Sequence, residues 1–156
     1  MEYPKYKRIL FCTDFSATAD RAFEYAFGIA KRDEGLLYLL HVIPEYPDQE
    51  ILVKFFPTDL IPSAQKNITE EMKQKIQNQY VKKIEGQIKT DSVVKIGKED
   101  QTIIQFAQEK QIDLIVMGTH GKTGVEHAIL GSVAEKVIRK SPFPVFIIPL
   151  REKKAG

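Results

Sequence analysis

Short, nearly continuous apolar runs alternate along this chain with longer segments whose apolar residues return every three or four positions. The clearest runs are residues 9–12, 36–43, 114–117 and 145–148. Unbroken apolar runs of this length predict strands buried on both faces, the habit of parallel strands covered by helices. A weaker fifth run, Ser92-Val93-Val94-Lys95-Ile96, falls between the second and third of these.

The intervening segments predict helices. Ser16 is placed to cap a helix whose apolar stripe is Ala19, Ala22, Phe23, Ala26, Phe27, Ile29 and Ala30, with Gly35 as its stop. Residues 64–89 carry Ile68, Met72, Ile76, Tyr80 and Ile84 at every fourth position, with charge and glutamine elsewhere, which predicts one long amphipathic helix. Asp100 is placed to cap a helix holding Ile103, Ile104, Phe106 and Ala107. Residues 131–140 predict the last, through Val133, Ala134, Val137 and Ile138.

Strands and helices that alternate strictly imply an α/β fold with a parallel sheet and right-handed crossovers. The simplest arrangement is one doubly wound five-stranded sheet of order 3-2-1-4-5 with helices on both faces, built from residues 1–156 as a single domain. Ligands of such sheets sit beyond the carboxyl ends of the strands where the order reverses, here between the first and fourth strands. That directs attention to Thr13 and Asp14 after the first strand and to Gly118 onward after the fourth. Residues 44–62 fit the plan least well, with four prolines (Pro44, Pro47, Pro57, Pro62) among bulky apolar residues. Either a loop folded over the core or a lid or partner contact accounts for them. The tail, 151–156, reads as solvated.

Composition narrows the function classes. A net charge of +2 over 156 residues lacks the strongly basic face of a nucleic-acid binder. It leaves room for an anionic ligand, because backbone N–H groups can hold phosphate with little formal charge. The single cysteine, Cys12, cannot form an internal disulfide and suits a reducing compartment. The apolar run after the basic N-terminus is too short for a secretory leader, which needs about 7–15 apolar residues. No run approaches the ~20 apolar residues of a membrane span. The expectation is a cytoplasmic protein with neither membrane nor nucleic-acid partner.

The residues that carry chemistry cluster after the fourth strand: Gly118-Thr119-His120-Gly121-Lys122-Thr123-Gly124, then Gly131-Ser132-Val133 opening the last helix. A glycine turn exposes backbone N–H groups with no Cβ in the way. A helix N-terminus adds unpaired donors and a favourable dipole, and the Ser132 hydroxyl adds one donor more. A polyphosphate fits between them. Two commoner phosphate motifs fail. A P-loop needs glycine five residues before Gly121, where Val116 stands, and the turn after the first strand, Cys12 to Ser16, has no glycine for a dinucleotide fingerprint.

Gly118, two residues, Gly121, nine residues, Gly131 and Ser132 form the pattern G-x2-G-x9-G-[S/T], and the chain here resembles the ATP-binding branch of the universal stress proteins. The likeness extends over Arg8 to Ser16, Leu39-Leu40-His41-Val42, Asp113 to Gly118, and Ser141 to Val145. It implies that Asp14 meets the ribose or helps hold a metal, that Val42 meets adenine through its backbone, and that Gly118 to Gly124 wrap the phosphates. Gly131, Ser132 and Val133 would complete the cradle. Cys12 stands in the nucleoside wall where close relatives often carry proline. The resemblance implies ATP, accompanied by Mg²⁺ or Mn²⁺, and a regulatory stress-response role.

Other readings of the same residues stay open. Asp14 also suits an Asx-type turn, Gly118 and Gly121 a positive φ, and Lys122 plain solvation. His120 and His127 lack an evident second base or nucleophile, His41 suits a satisfied core histidine, and Cys12 a small buried hydrophobe. A slow ATPase or nucleotidyl-transfer enzyme, and an interaction module without nucleotide, are the alternatives. The apolar final strand, 145–148, flanked by Pro144 and Pro149, predicts an edge that pairs with its own copy in a homodimer.

Overall fold

A computed structural model describes residues 1–45, 54, 57–120 and 130–150. Five strands form one sheet in the order β3-β2-β1-β4-β5. They are β1 (Arg8–Cys12), β2 (Leu36–Pro44), β3 (Lys89–Gly97), β4 (Leu114–Gly118) and β5 (Val145–Ile148). Every pairing is parallel: Ile9 stands beside Leu37 on one side and Leu114 on the other, and Val116 stands beside Phe146.

The pleat sorts alternate residues onto two cores. Ile9, Phe11, Leu37, Leu39, Leu114 and Val116 face α1 (Ala17–Asp33) and the end of the long helix α2 (Ile61–Ile76), where Ile76, Tyr80 and Ile84 close the layer. Leu10, Cys12, Tyr38, Leu40, Ile115 and Met117 face α3 (Glu99–Glu109) and α4 (Ser132–Lys140) through Ile103, Phe106, Ala134 and Val137. Burial on both faces explains why β1, β2 and β4 read as continuous apolar runs. In α1 the sheet-facing positions Ala19, Ala22, Ala26 and Ala30 are small, which lets the helix lie close to β1 and β4.

Several boundaries differ from the sequence expectation, each for a local reason. Ser16 does cap α1, accepting from the Ala19 N–H at 3.2 Å. The left-handed residue that ends α1 is Glu34 (φ 51°), and Gly35 is needed for space: a Cβ there would meet the Tyr6 carbonyl at 2.7 Å. The long helix starts earlier, after a 3-10 turn (Thr58–Leu60), because Pro62 fits a first helical turn. It continues through a π-helical segment, Gln77–Val81, and a last turn, Lys82–Ile84, and stops where Gly86 turns left-handed (φ 76°). β3 is longer than its apolar run because it pairs with β2 along all nine residues, Leu36 to Pro44. Asp100 is not a cap. Lys98 precedes α3 without a side-chain cap, and Asp100 is buried in an ion pair with Lys140 Nζ at 2.7 Å, which holds its carboxyl below the usual range. Most of the proline-rich 44–62 stretch lies outside the described residues. No helix among the described residues is long and apolar enough to cross a membrane.

Candidate functional site

The chain leaves β1 and β4 in opposite directions, since β1 is followed by a helix on one face and β4 by a helix on the other. Their diverging carboxyl ends open a cleft of about 600 Å³, within the usual range of small-molecule sites.

The β1 wall is set by two nested turns. The Thr13 N–H donates to the Leu40 carbonyl at 2.9 Å, Phe15 N–H donates to Thr13 Oγ1 at 2.9 Å, and Ser16 N–H donates to Asp14 Oδ1 at 3.0 Å. The Asx turn at Asp14 is therefore real, and Asp14 lines the cleft as well. The turns drive Phe15 into a left-handed conformation, φ 64°. It is held there by His41, whose ring lies 4.7 Å away, and by the Lys75 ammonium 4.4 Å above it. His41 Nδ1 lies 2.8 Å from the Thr13 carbonyl, so that nitrogen carries the proton and donates. Beneath, buried Tyr80 donates its hydroxyl proton to Asp20 Oδ1 and meets Thr13 Oγ1, both at 2.8 Å. Burial pushes the Tyr80 phenol well above its ordinary range.

The β2 wall presents backbone. Leu40 faces β1 through its carbonyl, and backbone groups two residues apart in a strand point the same way. Val42, past the last β1 partner at Cys12, therefore directs its N–H and C=O toward the space β1 has left. Cys12 also lines the cleft, and burial pushes its thiol up to about 12, which keeps it neutral and a poor nucleophile.

The opposite wall is close-packed main chain. A Cβ on Gly118 would meet Thr18 at 2.9 Å, and one on Gly131 would meet the Thr119 carbonyl at 2.7 Å. Thr119 N–H donates to the Ile148 carbonyl at 3.1 Å, its Oγ1 lies 2.8 Å from His120 Nδ1, and the His120 carbonyl accepts from the Thr18 hydroxyl. Gly131 precedes α4 with no side-chain cap, and the first intrahelical bond runs from Glu135 N–H to the Gly131 carbonyl at 2.9 Å. The N–H groups of Ser132, Val133 and Ala134 come before that bond, and all three residues line the cleft.

Of the residues singled out in the sequence, Cys12, Asp14, Val42, Gly118, Thr119, His120, Gly131, Ser132 and Val133 meet in this one cleft. Gly121, Lys122, Thr123 and Gly124, with His127, lie outside the described residues. Sequence reasoning missed Ser16, Glu99, Ile103 and Leu130, which also line it. Glu99 was findable in principle, since it follows Gly97 at the carboxyl end of β3. Burial, and then the charge of Asp14, raise its carboxyl above the usual range. Among the described residues no group of three histidine, cysteine or acidic side chains is placed to hold a metal. A second hollow of about 690 Å³ runs along Arg21, Tyr25, Gly28 and Arg32. It is larger but open, formed by one helix face, and gathers no strand ends or convergent backbone donors.

The sequence model of the universal stress protein family matches residues 5–149. The chain belongs to this family. The universal stress protein MJ0577 of Methanocaldococcus jannaschii is 35% identical, with 92% of this chain and 94% of that protein covered. A solved structure of MJ0577 superposes with a TM-score of 0.82 at 32% identity, covering 96% of this chain and all of that one. The same fold at 22% identity occurs in a universal stress protein solved with cAMP (TM-score 0.62; 93% of this chain, 98% of that chain). It occurs again, at 22% identity, in one from Archaeoglobus fulgidus solved with dAMP (TM-score 0.56; 93% and 99%). Five parallel strands in the order 3-2-1-4-5 are thus both the expectation from sequence and the family fold.

Proposed function

We propose that this protein binds ATP in the cleft between β1 and β4 and acts as a nucleotide-dependent regulator in a stress response. The observation that carries the reading is the pairing of two backbone surfaces across one cleft of about 600 Å³. Val42 offers one donor and one acceptor at one wall, and the N-terminus of α4 offers a row of donors at the other. Adenine presents an acceptor at N1 and a donor at its 6-amino group, which complement Val42. Guanine carries the two in reversed order, so in the same pose donor meets donor. Phosphate oxygens suit the N–H groups of Ser132, Val133 and Ala134 and the Ser132 hydroxyl, where the helix dipole favours negative charge, while the Gly131 N–H already donates to the Thr119 carbonyl.

The residues fit the nucleotide without crowding it, because Gly118 and Gly131 are already in contact with other main chain and carry no side chain into the cleft. Mg²⁺ or Mn²⁺ would arrive with the phosphates, Asp14 being the nearest carboxylate to them on the β1 wall. Neutral Cys12 and the histidines that line the cleft, His41 and His120, give no activated nucleophile, and turnover well below an ordinary enzyme rate of about 10 per second is expected. The buried single thiol suits the reducing cytoplasm, and a homodimer would form through β5.

Thermal melting tests the reading. Mg-ATP at a hundred times its Kd stabilises by about 2.7 kcal/mol, a rise of roughly 5–10 °C in Tm for a chain of this size. Mg-GTP at the same concentration should give a clearly smaller rise. Equal rises would remove the adenine assignment, and no rise with either would remove the nucleotide.

A further inference from the structure

We propose that Glu99 is the residue that reads the sugar in this cleft, selecting nucleotides whose ribose 2′- and 3′-hydroxyls are both present and free. The inference rests on the nucleotide reading above and adds to it a selectivity that neither the glycine pattern nor the α4 N-terminus can supply.

Glu99 opens α3 directly beyond β3 and lines the same cleft as Val42, Asp14 and Ser132. Its carboxylate is half-buried yet makes no hydrogen bond or ion pair among the described residues, although a half-buried carboxylate is costly without donors. The neighbouring acid, Asp100, is tied to Lys140 and turned into the α3–α4 contact, so the first turn of α3 sends only one of its two carboxylates to the cleft. The charges that act on Glu99 are Asp14 beyond β1, Lys136 on α4 and Asp100 on its own helix. Glu99 shares one lining with Val42, whose backbone suits the base, and with Ser132 and Val133, whose N–H groups suit the phosphates. The remaining part of a nucleotide is its sugar, whose hydroxyls donate to a carboxylate as phosphate oxygens cannot.

Charge decides what Glu99 can accept there. With Asp14 it makes two acidic groups facing one cavity, which disfavours phosphate beside them without a metal and favours it at the amide-lined end. Two vicinal hydroxyls are neutral and donate, so each can satisfy a carboxylate that has no donor among the described residues. A sugar lacking one hydroxyl leaves a half-buried acceptor unpaired, and a phosphate on either hydroxyl brings anion against anion.

Calorimetric titration of Mg-ATP, 2′-deoxy-ATP and 3′-deoxy-ATP into the wild type, Glu99→Ala and Glu99→Gln tests this. Loss of one hydrogen bond to a charged acceptor should weaken at least one deoxy analogue about tenfold against the wild type. Glu99→Ala should lower ATP to the level of that analogue while leaving the analogue's own affinity within about twofold, and Glu99→Gln should fall between. Because Glu99 has no hydrogen-bond partner to lose among the described residues, both variants should melt with the wild type in the absence of nucleotide. An unchanged ratio of ATP to both analogues in Glu99→Ala overturns the role of Glu99 alone. Failure of the wild type to bind ATP overturns the nucleotide reading and this inference with it.

Discussion

Asp33 shows how a single side chain fastens two elements. At the end of α1 its carboxylate accepts from the Arg32 guanidinium at 2.7 Å and from the Tyr6 N–H at 2.9 Å, tying the helix to the approach of β1. The Arg32 hydrogen bond, assisted by that backbone donor, holds its carboxyl at about 2 against the pull of burial. A depressed acid contributes stability that is present above its unfolded value, about 3.9, and is lost as pH falls through the folded one. Urea midpoints should therefore drop between about pH 4 and pH 2, and Asp33→Asn should lie lower at pH 7 with a flatter acid limb. An unchanged acid limb in the variant would show that the pairing adds nothing. Asp100, held low by Lys140, titrates in the same direction, so part of the limb should remain. Local chemistry of the Ser16 kind is legible in sequence because a cap needs only its own next turn. The positions of Asp100, Glu99 and Phe15 were not, since burial, a partner forty residues away and an aromatic clamp are facts of packing.

The long helix carries more than its periodicity reveals. A stripe at every fourth residue predicts a helix facing the sheet, and Ile76, Tyr80 and Ile84 do face it. The π-helical turn at Gln77–Val81 leaves no mark in the pattern, yet it sets Tyr80 over Phe11 at 5.2 Å and under Thr13 in the turn that forms the cleft. Tyr80→Phe keeps the packing and removes the hydroxyl's hydrogen bonds to Thr13 Oγ1 and Asp20, which keep Phe15 N–H and Gln79 Nε2 as their donors. Its expected cost is about 1–3 kcal/mol in urea unfolding, with the slope unchanged. A neutral substitution would mean that solvent replaces the hydroxyl and that the turn does not lean on this helix. The helix boundaries were the least legible part, because Pro62 and Gly86 act through backbone geometry that an apolar count ignores.

The fold as a whole was legible because strict alternation of buried strands and amphipathic helices leaves few topologies, and the switch point between β1 and β4 follows from the order alone. What alternation cannot carry is assembly. β5 ends the sheet with Phe146 40% exposed, edge-on to Tyr6 at 6.1 Å, and with Ile138 and Leu150 exposed beside the same end of the chain. Light scattering should give twice the 17.8 kDa chain mass for the wild type and a monomer for Phe146→Lys combined with Ile138→Glu. Ile148 is buried and is left intact in that variant. A monomeric wild type would remove the edge-pairing proposal, and a variant that stays dimeric would move the interface. The nucleotide is tested most directly by isothermal titration of Mg-ATP into the wild type and Ser132→Ala. The cleft predicts one ATP per chain, and in the variant, which lacks one donor to phosphate, an affinity about tenfold weaker with the stoichiometry kept. Equal affinity in the two proteins, or no heat of binding in the wild type, would contradict it.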